Sequence, residues 1–133
     1  MTQSELPREV QELIAQHITS VEQLEVLLLL REHADREWSA SAVSEEIRTS
    51  ERSAAARLAD LRTRGFLTSR EDAGVTLYRF DPLTDTLRRA VASLSQVYRE
   101  RRYTIIDLIF SKPIDRLRVY ADAFRIRKDD SDG

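Results

Sequence analysis

Four residues near the start of the run Thr49 to Leu67, "TSERSAAARLADLRTRGFL", combine hydrogen-bond donors with small size: Arg52, Ser53, Ala56 and Arg57. An arginine fork can bond a guanine edge through two parallel hydrogen bonds, a serine hydroxyl can bond a base or a phosphate, and an alanine methyl can touch the methyl of thymine. Ser50 precedes them as a helix cap, and the free amides of the helix it opens favour a phosphate. At about 100° per residue, Ala54, Leu58 and Leu61 share one face of this helix and Arg52, Ala56, Ala59 and Thr63 the opposite one. Ser53, Ala55 and Arg57 flank the outward face. The plainer reading of the alanines is that they are good helix formers on a solvated surface. The weight therefore rests on Arg52 and Arg57.

Other chemistries find little support. The chain has no cysteine, which excludes disulfides, thiolate metal sites and cysteine redox sensing. Its two histidines, His17 and His33, fall on separate predicted helices, and no serine or acid stands at a spacing that suggests a triad. His33 with Asp35 lacks the further ligands a metal needs. There is no glycine-rich phosphate loop. Neither an enzyme nor a cofactor or metal is expected.

The elements that must position these residues follow from periodicity. Pro7 to Ile18 reads as a short acidic helix with Val10, Leu13, Ile14 and His17 on one stripe. Ser20 caps a second helix, "VEQLEVLLLLREH", apolar over most of its circumference and so placed at the centre of a fold or a dimer. After Trp38, Ser39 or Ser41 caps a third helix carrying Val43 and Ile47, and Thr49 and Ser50 open the fourth. Beyond Gly65 the period changes to alternation, and "FLTSREDAGVTLYRF" reads as a β-hairpin turning at Asp72-Ala73-Gly74. From Leu83 to about Phe110 a long helical pattern steps through Leu87, Val91, Leu94, Tyr98, Ile105 and Leu108, interrupted only by Arg101, which could fix helix register, bind an anionic ligand, mark a bend, or simply snorkel out of the seam. Pro113 restarts a last helix with Ile114, Leu117, Ala121 and Phe124 on its face.

Two short helices, a tight connection, a glycine after the second and then a hairpin is the order of a winged helix-turn-helix. The segment "AVSEEIRTSERSAAARLADLRTRGFLTSRE" resembles the corresponding segment of bacterial winged-helix regulators through Leu58, Leu61, Arg64, Gly65, Phe66 and Leu67. The flanking helices make the overall order similar to the MarR family, and PadR-type and ArsR-type regulators share the core. Arg48 stands near where many such turns carry glycine. The resemblance implies a DNA-binding transcriptional regulator with a recognition helix at residues 50–64 and a wing at 66–80. Arg70 and Arg79 of the wing could reach phosphate or an adjacent minor groove, although Glu71 and Asp72 at its tip repel phosphate.

The expected fold class is mainly α with a small β-hairpin wing, with N- and C-terminal dimerisation helices. Residues 1–128 are expected to form a single domain, divided into an N-terminal helix at 1–19, the winged core at 20–82 and dimerisation helices at 83–128. An acidic tail at 129–133 is expected to be disordered. Leu87, Val91, Leu94, Tyr98, Arg101, Ile105, Leu108, Leu117 and Phe124 are the candidate dimerisation residues, because this region holds more apolar surface than one small domain needs. Net charge is −2, but residues 1–37 carry −5 and residues 98–128 carry +5, so the two would attract if packed in one layer. The neutral reading segment releases few counterions, so affinity should depend on base contacts and on dimeric avidity.

The expected partners are double-stranded DNA, bound at a palindromic site, and a second copy of the chain. A small-molecule or protein effector would sit between the dimer layer and the DNA-binding lobe. The longest apolar run, Val26 to Leu30, is too short to cross a bilayer, and a cytoplasmic location is the default. The rival reading from another class is a winged-helix module that binds protein, as an adaptor or anti-activator, without significant DNA binding.

Overall fold

The computed structural model describes residues 6–111. Within them the chain forms α1 (Arg8–His17), α2 (Val21–Glu32), α3 (Ala40–Ile47), α4 (Glu51–Thr63), the strands β1 (Leu67–Asp72) and β2 (Val75–Phe80), α5 (Asp85–Glu100) and α6 (Arg102–Phe110). The predicted helix from Pro113, with Leu117 and Phe124, lies outside the described residues, as does the acidic tail.

The starts of α2, α3, α4 and α5 are set by hydroxyl caps. Ser20, Ser39, Ser50 and Thr84 each accept the backbone N–H three residues on, satisfying one of the donors a helix start leaves unpaired. Of the two candidates for α3, Ser39 is the cap. The end of α4 is closed by Phe66 N–H donating to the Leu61 carbonyl and Gly65 N–H to that of Arg62, each at 3.0 Å, with Gly65 at φ +93°. That pairing needs a left-handed residue, which glycine supplies without a Cβ clash. At the end of α3 the same position falls to Arg48, at φ 61°.

The core is built around α2. Leu24, Val26, Leu27 and Leu30 are fully buried although they point to more than one side of the helix, because α3, α4 and β2 all pack on it. They meet Leu58 and Leu61 of α4, Phe66, and Val91, Leu94 and Ile105 in a single cluster, every one of these fully buried. α1 buries Val10, Leu13 and Ile14 and packs on α5 and α6.

β1 and β2 pair antiparallel from Leu67↔Phe80 to Asp72↔Val75. Ala73 and Gly74 form the loop with φ of 53° and 81°, the pair of positive values whose twist suits a two-residue hairpin. Trp38 extends this sheet: its N–H donates to the Tyr78 carbonyl at 2.7 Å and its carbonyl accepts from Tyr78 N–H at 2.8 Å. The indole is buried, with the Arg36 guanidinium 3.7 Å from the ring centre. The wing is thereby tied to the connection between α2 and α3.

The structure corrects the expected continuous helix from Leu83 to Phe110. It breaks at Arg101, whose φ −138° and ψ 54° are not helical, between Arg101 N–H donating to Val97 at 2.6 Å and Ile105 N–H donating to Arg101 at 3.2 Å. Neither proline nor glycine causes the break. It lets α6 bury Ile105 and Ile109 while α5 buries Val91 and Leu94, both helices remaining in contact with α1. Among the described residues no single helix is long and apolar enough to cross a membrane.

Candidate nucleic-acid interface

α3 and α4 pack on each other across the short turn Arg48–Ser50. Ala54, Leu58 and Leu61 hold α4 to the core, and the outward face is Arg52, Ala55, Ala56, Ala59, Arg62 and Thr63, all exposed. This is the split the helical period predicts. Ser50 is also exposed, its hydroxyl occupied by the Ser53 N–H at 3.0 Å.

A third face of α4 was invisible in the sequence. Ser53, Arg57, Asp60 and Arg64 line up toward α1 and α2 and are half-buried. Glu22, in the first turn of α2, accepts from Thr49 Oγ1 on one carboxylate oxygen and from Ser53 Oγ on the other, both at 2.5 Å. Its Oε1 also lies 3.9 Å from Arg57 Nη1. The Ser53 hydroxyl is the largest cause holding this carboxyl below its ordinary pKa, followed by Thr49, with Arg57 adding a smaller attraction. Ser53 and Arg57 therefore lean toward α2 from the flank of the outward face.

Next to them Gln23, the single fully buried polar residue among those described, docks the helices. Its Nε2 donates to the His17 carbonyl at 3.0 Å and to Asp60 Oδ2 at 2.7 Å, while its Oε1 accepts from Thr19 N–H at 2.6 Å. Arg64 pairs with Asp60 at 3.0 Å and donates to the Gln16 carbonyl at 3.2 Å.

On the wing, Arg70 and Arg79 share one face, as the Thr68↔Arg79 register requires. Arg70 makes a two-pronged pair with Glu37, at 2.6 and 2.7 Å. These hydrogen bonds are the largest influence lowering the Glu37 pKa, and Arg79 adds a weaker attraction. Arg79 is exposed. At the tip Glu71 accepts from the Thr76 hydroxyl at 2.6 Å, and Asp72 is exposed.

The candidate dimerisation residues divide. Val91, Leu94 and Ile105 are fully buried inside a single chain and belong to its own core. Leu87, Tyr98, Arg101 and Leu108 are partly buried. The apolar surface left outward is on the other side of α6, where Tyr103 and Phe110 are 80% and 67% exposed with Ile106 between them. A short helix with apolar residues on both sides hides this face from a period count. Part of the opposite charge noted in the sequence is paired within the chain, Arg102 lying 3.6 Å from Glu25. The Tyr98 hydroxyl donates to the same carboxylate at 3.4 Å, and burial followed by the Glu25 charge raises its pKa.

A cleft of about 540 Å³ opens between α2, the end of α3 and α5. Leu28, Leu29 and Ile47 give it apolar walls, while Arg31, Arg48 and Arg99 are matched by Glu25, Glu32 and Glu46, so its lining is mixed in charge. Among the described residues no group of three His, Asp or Glu is placed to hold a metal ion.

No family model matches the sequence, and no curated protein is significantly similar to it. Solved structures do match. The homodimeric winged helix-turn-helix DNA-binding domain of Mb0332 from Mycobacterium bovis, a possible ArsR-family transcriptional regulator, aligns with a TM-score of 0.52 and 22% identity over 68% of this chain and 81% of its own. NolR from Sinorhizobium fredii aligns with a TM-score of 0.52 and 20% identity over 68% and 85%. YusO from Bacillus subtilis aligns with a TM-score of 0.52 and 15% identity over 90% and 82%. The fold is a winged helix-turn-helix: α3 and α4 form the helix-turn-helix and β1–β2 the wing.

Proposed function

We propose that this chain is a sequence-specific DNA-binding transcriptional regulator that reads the major groove with α4. The observation that carries the reading is the outward face of α4. There Arg52, the long donor of the first turn, stands among Ala55, Ala56 and Ala59, with Arg62 toward the far end, on a helix anchored from behind by fully buried Ala54, Leu58 and Leu61. Small side chains let a helix backbone sit deep in the groove, where Arg52 can take a guanine and the methyl groups a thymine. The winged helix-turn-helix fold, shared with Mb0332 and its DNA-binding domain, supports the same assignment. The subgroup, MarR-like by helix order, stays part of the proposal.

A homodimer would place two such helices about 34 Å apart on a palindromic site. The partner copy is proposed to cover Tyr103, Ile106 and Phe110 on α6, with Leu87, Tyr98 and Leu108 at the margin. A small-molecule effector would enter the cleft lined by Arg48, because that residue ends α3 and so abuts the turn before α4.

Selection of duplexes from a random library by the full chain tests the reading. Arg52→Ala is expected to weaken binding to the selected duplex by about 1–3 kcal/mol and to relax preference at one base pair. An unchanged affinity and preference would remove α4 from the interface.

The second reading, a protein-binding winged helix, is favoured by the internal pairing of Arg70 with Glu37 and of Ser53 with Glu22. Recovery of no enriched duplex would point to it.

A further inference from the structure

We propose that Glu22 is a built-in competitor for the DNA backbone: its carboxylate occupies, in the free protein, a phosphate site formed by Thr49, Ser53 and Arg57. The inference rests on the DNA-binding reading and names a regulatory contact within it.

The donor set is that of an oxyanion site. Each carboxylate oxygen of Glu22 takes one hydroxyl, from Thr49 and from Ser53, at 2.5 Å, and the Arg57 guanidinium lies beyond at 3.9 Å. A phosphodiester presents two equivalent oxygens in a similar arrangement, so donors that hold a carboxylate can hold it as well. Thr49 and Ser53 flank the Ser50 cap at the start of α4, where the helix end itself favours an anion. The cluster is open on one side, the Glu22 and Arg57 side chains being 30% and 34% exposed.

Glu22 is not needed to dock α2 on α4, because the adjacent Gln23 does so from a fully buried position through Asp60. Its charge is separable from the packing. That charge stands beside the first turn of the helix proposed to enter the groove, where it repels phosphate and ties up the nearest hydroxyl donors. Neutralising it leaves the same scaffold with Arg57 released toward the backbone.

The test titrates wild-type protein, Glu22→Gln, Glu22→Ala, Glu22→Asp and the double variant Glu22→Gln/Arg57→Ala against two labelled duplexes, one of mixed sequence and one selected by the wild-type chain. Anisotropy is read over a series of salt concentrations, with thermal melts establishing that each protein is folded. Glu22→Gln and Glu22→Ala are expected to bind on the order of fivefold tighter at low salt, the size of one exposed ion pair. The log–log salt slope should steepen by about one unit, as for one further phosphate neutralised. The double variant should lose both gains, and Glu22→Asp, which keeps the charge, should show neither.

A wild-type protein that binds while both neutral variants keep its slope or bind more weakly would make Glu22 a structural clamp and overturn the proposal, leaving the DNA reading intact. Steepening in Glu22→Asp would overturn it too. A wild type silent on the mixed-sequence duplex, with a neutral variant that binds it, would support it. If no folded variant binds either duplex, the DNA reading itself fails and takes this inference with it.

Discussion

Two glutamates engage arginines and hydroxyls that the sequence leaves open. Glu22 and Glu37 stand 31 and 33 residues before the groups they hold, Ser53 and Arg70. No helical or strand period links positions so far apart, so the sequence suggests the candidates and cannot show that they are already engaged. Arg52 was legible because it depends only on the rotation of one helix. Both carboxyls are held below the ordinary glutamate value of 4.5 by hydrogen bonds formed in the folded state. Their contribution to stability is therefore complete above that value and is lost as pH falls through the lower folded values. Urea midpoints should fall on acidification below about pH 4.5, and Glu22→Gln/Glu37→Gln should flatten that acid limb while lowering stability at neutral pH. An acid limb as steep in the double variant as in wild type would assign the loss to other carboxylates.

At the scale of elements, the starts of α2 and α4 and the exit of α4 were readable because Ser20, Ser50 and Gly65 act on their immediate neighbours. The break at Arg101 was readable only as one of several roles open to that residue, because the apolar steps on either side stay in phase and packing on α1 separates them. Gln23 shows the same limit from the other direction: a polar residue on a helix reads as surface, yet its partners on α1 and α4 make it core. The wing turn carries a local conflict. Ala73 holds φ 53°, a conformation in which its Cβ is crowded and asparagine or glycine is preferred. Ala73→Asn should therefore stabilise the protein by about 1 kcal/mol, measured as a rise in Tm, without altering the Asp72↔Val75 pairing. A lower Tm would mean that the turn does not gain from relief at this position.

For the whole molecule, the one-chain core uses Val91, Leu94 and Ile105, residues that a seam count had assigned to a partner. The apolar face at Tyr103, Ile106 and Phe110 is the one the proposed dimer would cover. Tyr103→Glu/Phe110→Glu should shift sedimentation at micromolar concentration from dimer to monomer with little change in Tm of the isolated fold, since both side chains are exposed in one chain. A wild-type protein already monomeric there would remove the proposed dimer face.

Trp38 is the chain's single tryptophan, and it sits where the wing joins the body, its backbone paired with Tyr78 and its ring under Arg36. The molecule thus contains its own optical gauge of wing position. Its emission arises from one ring whose surroundings change if the hairpin lifts away from the α2–α3 connection. Addition of unlabelled duplex should leave the emission maximum in place if the wing engages DNA as a rigid extension, and shift it to the red if the wing must swing to do so.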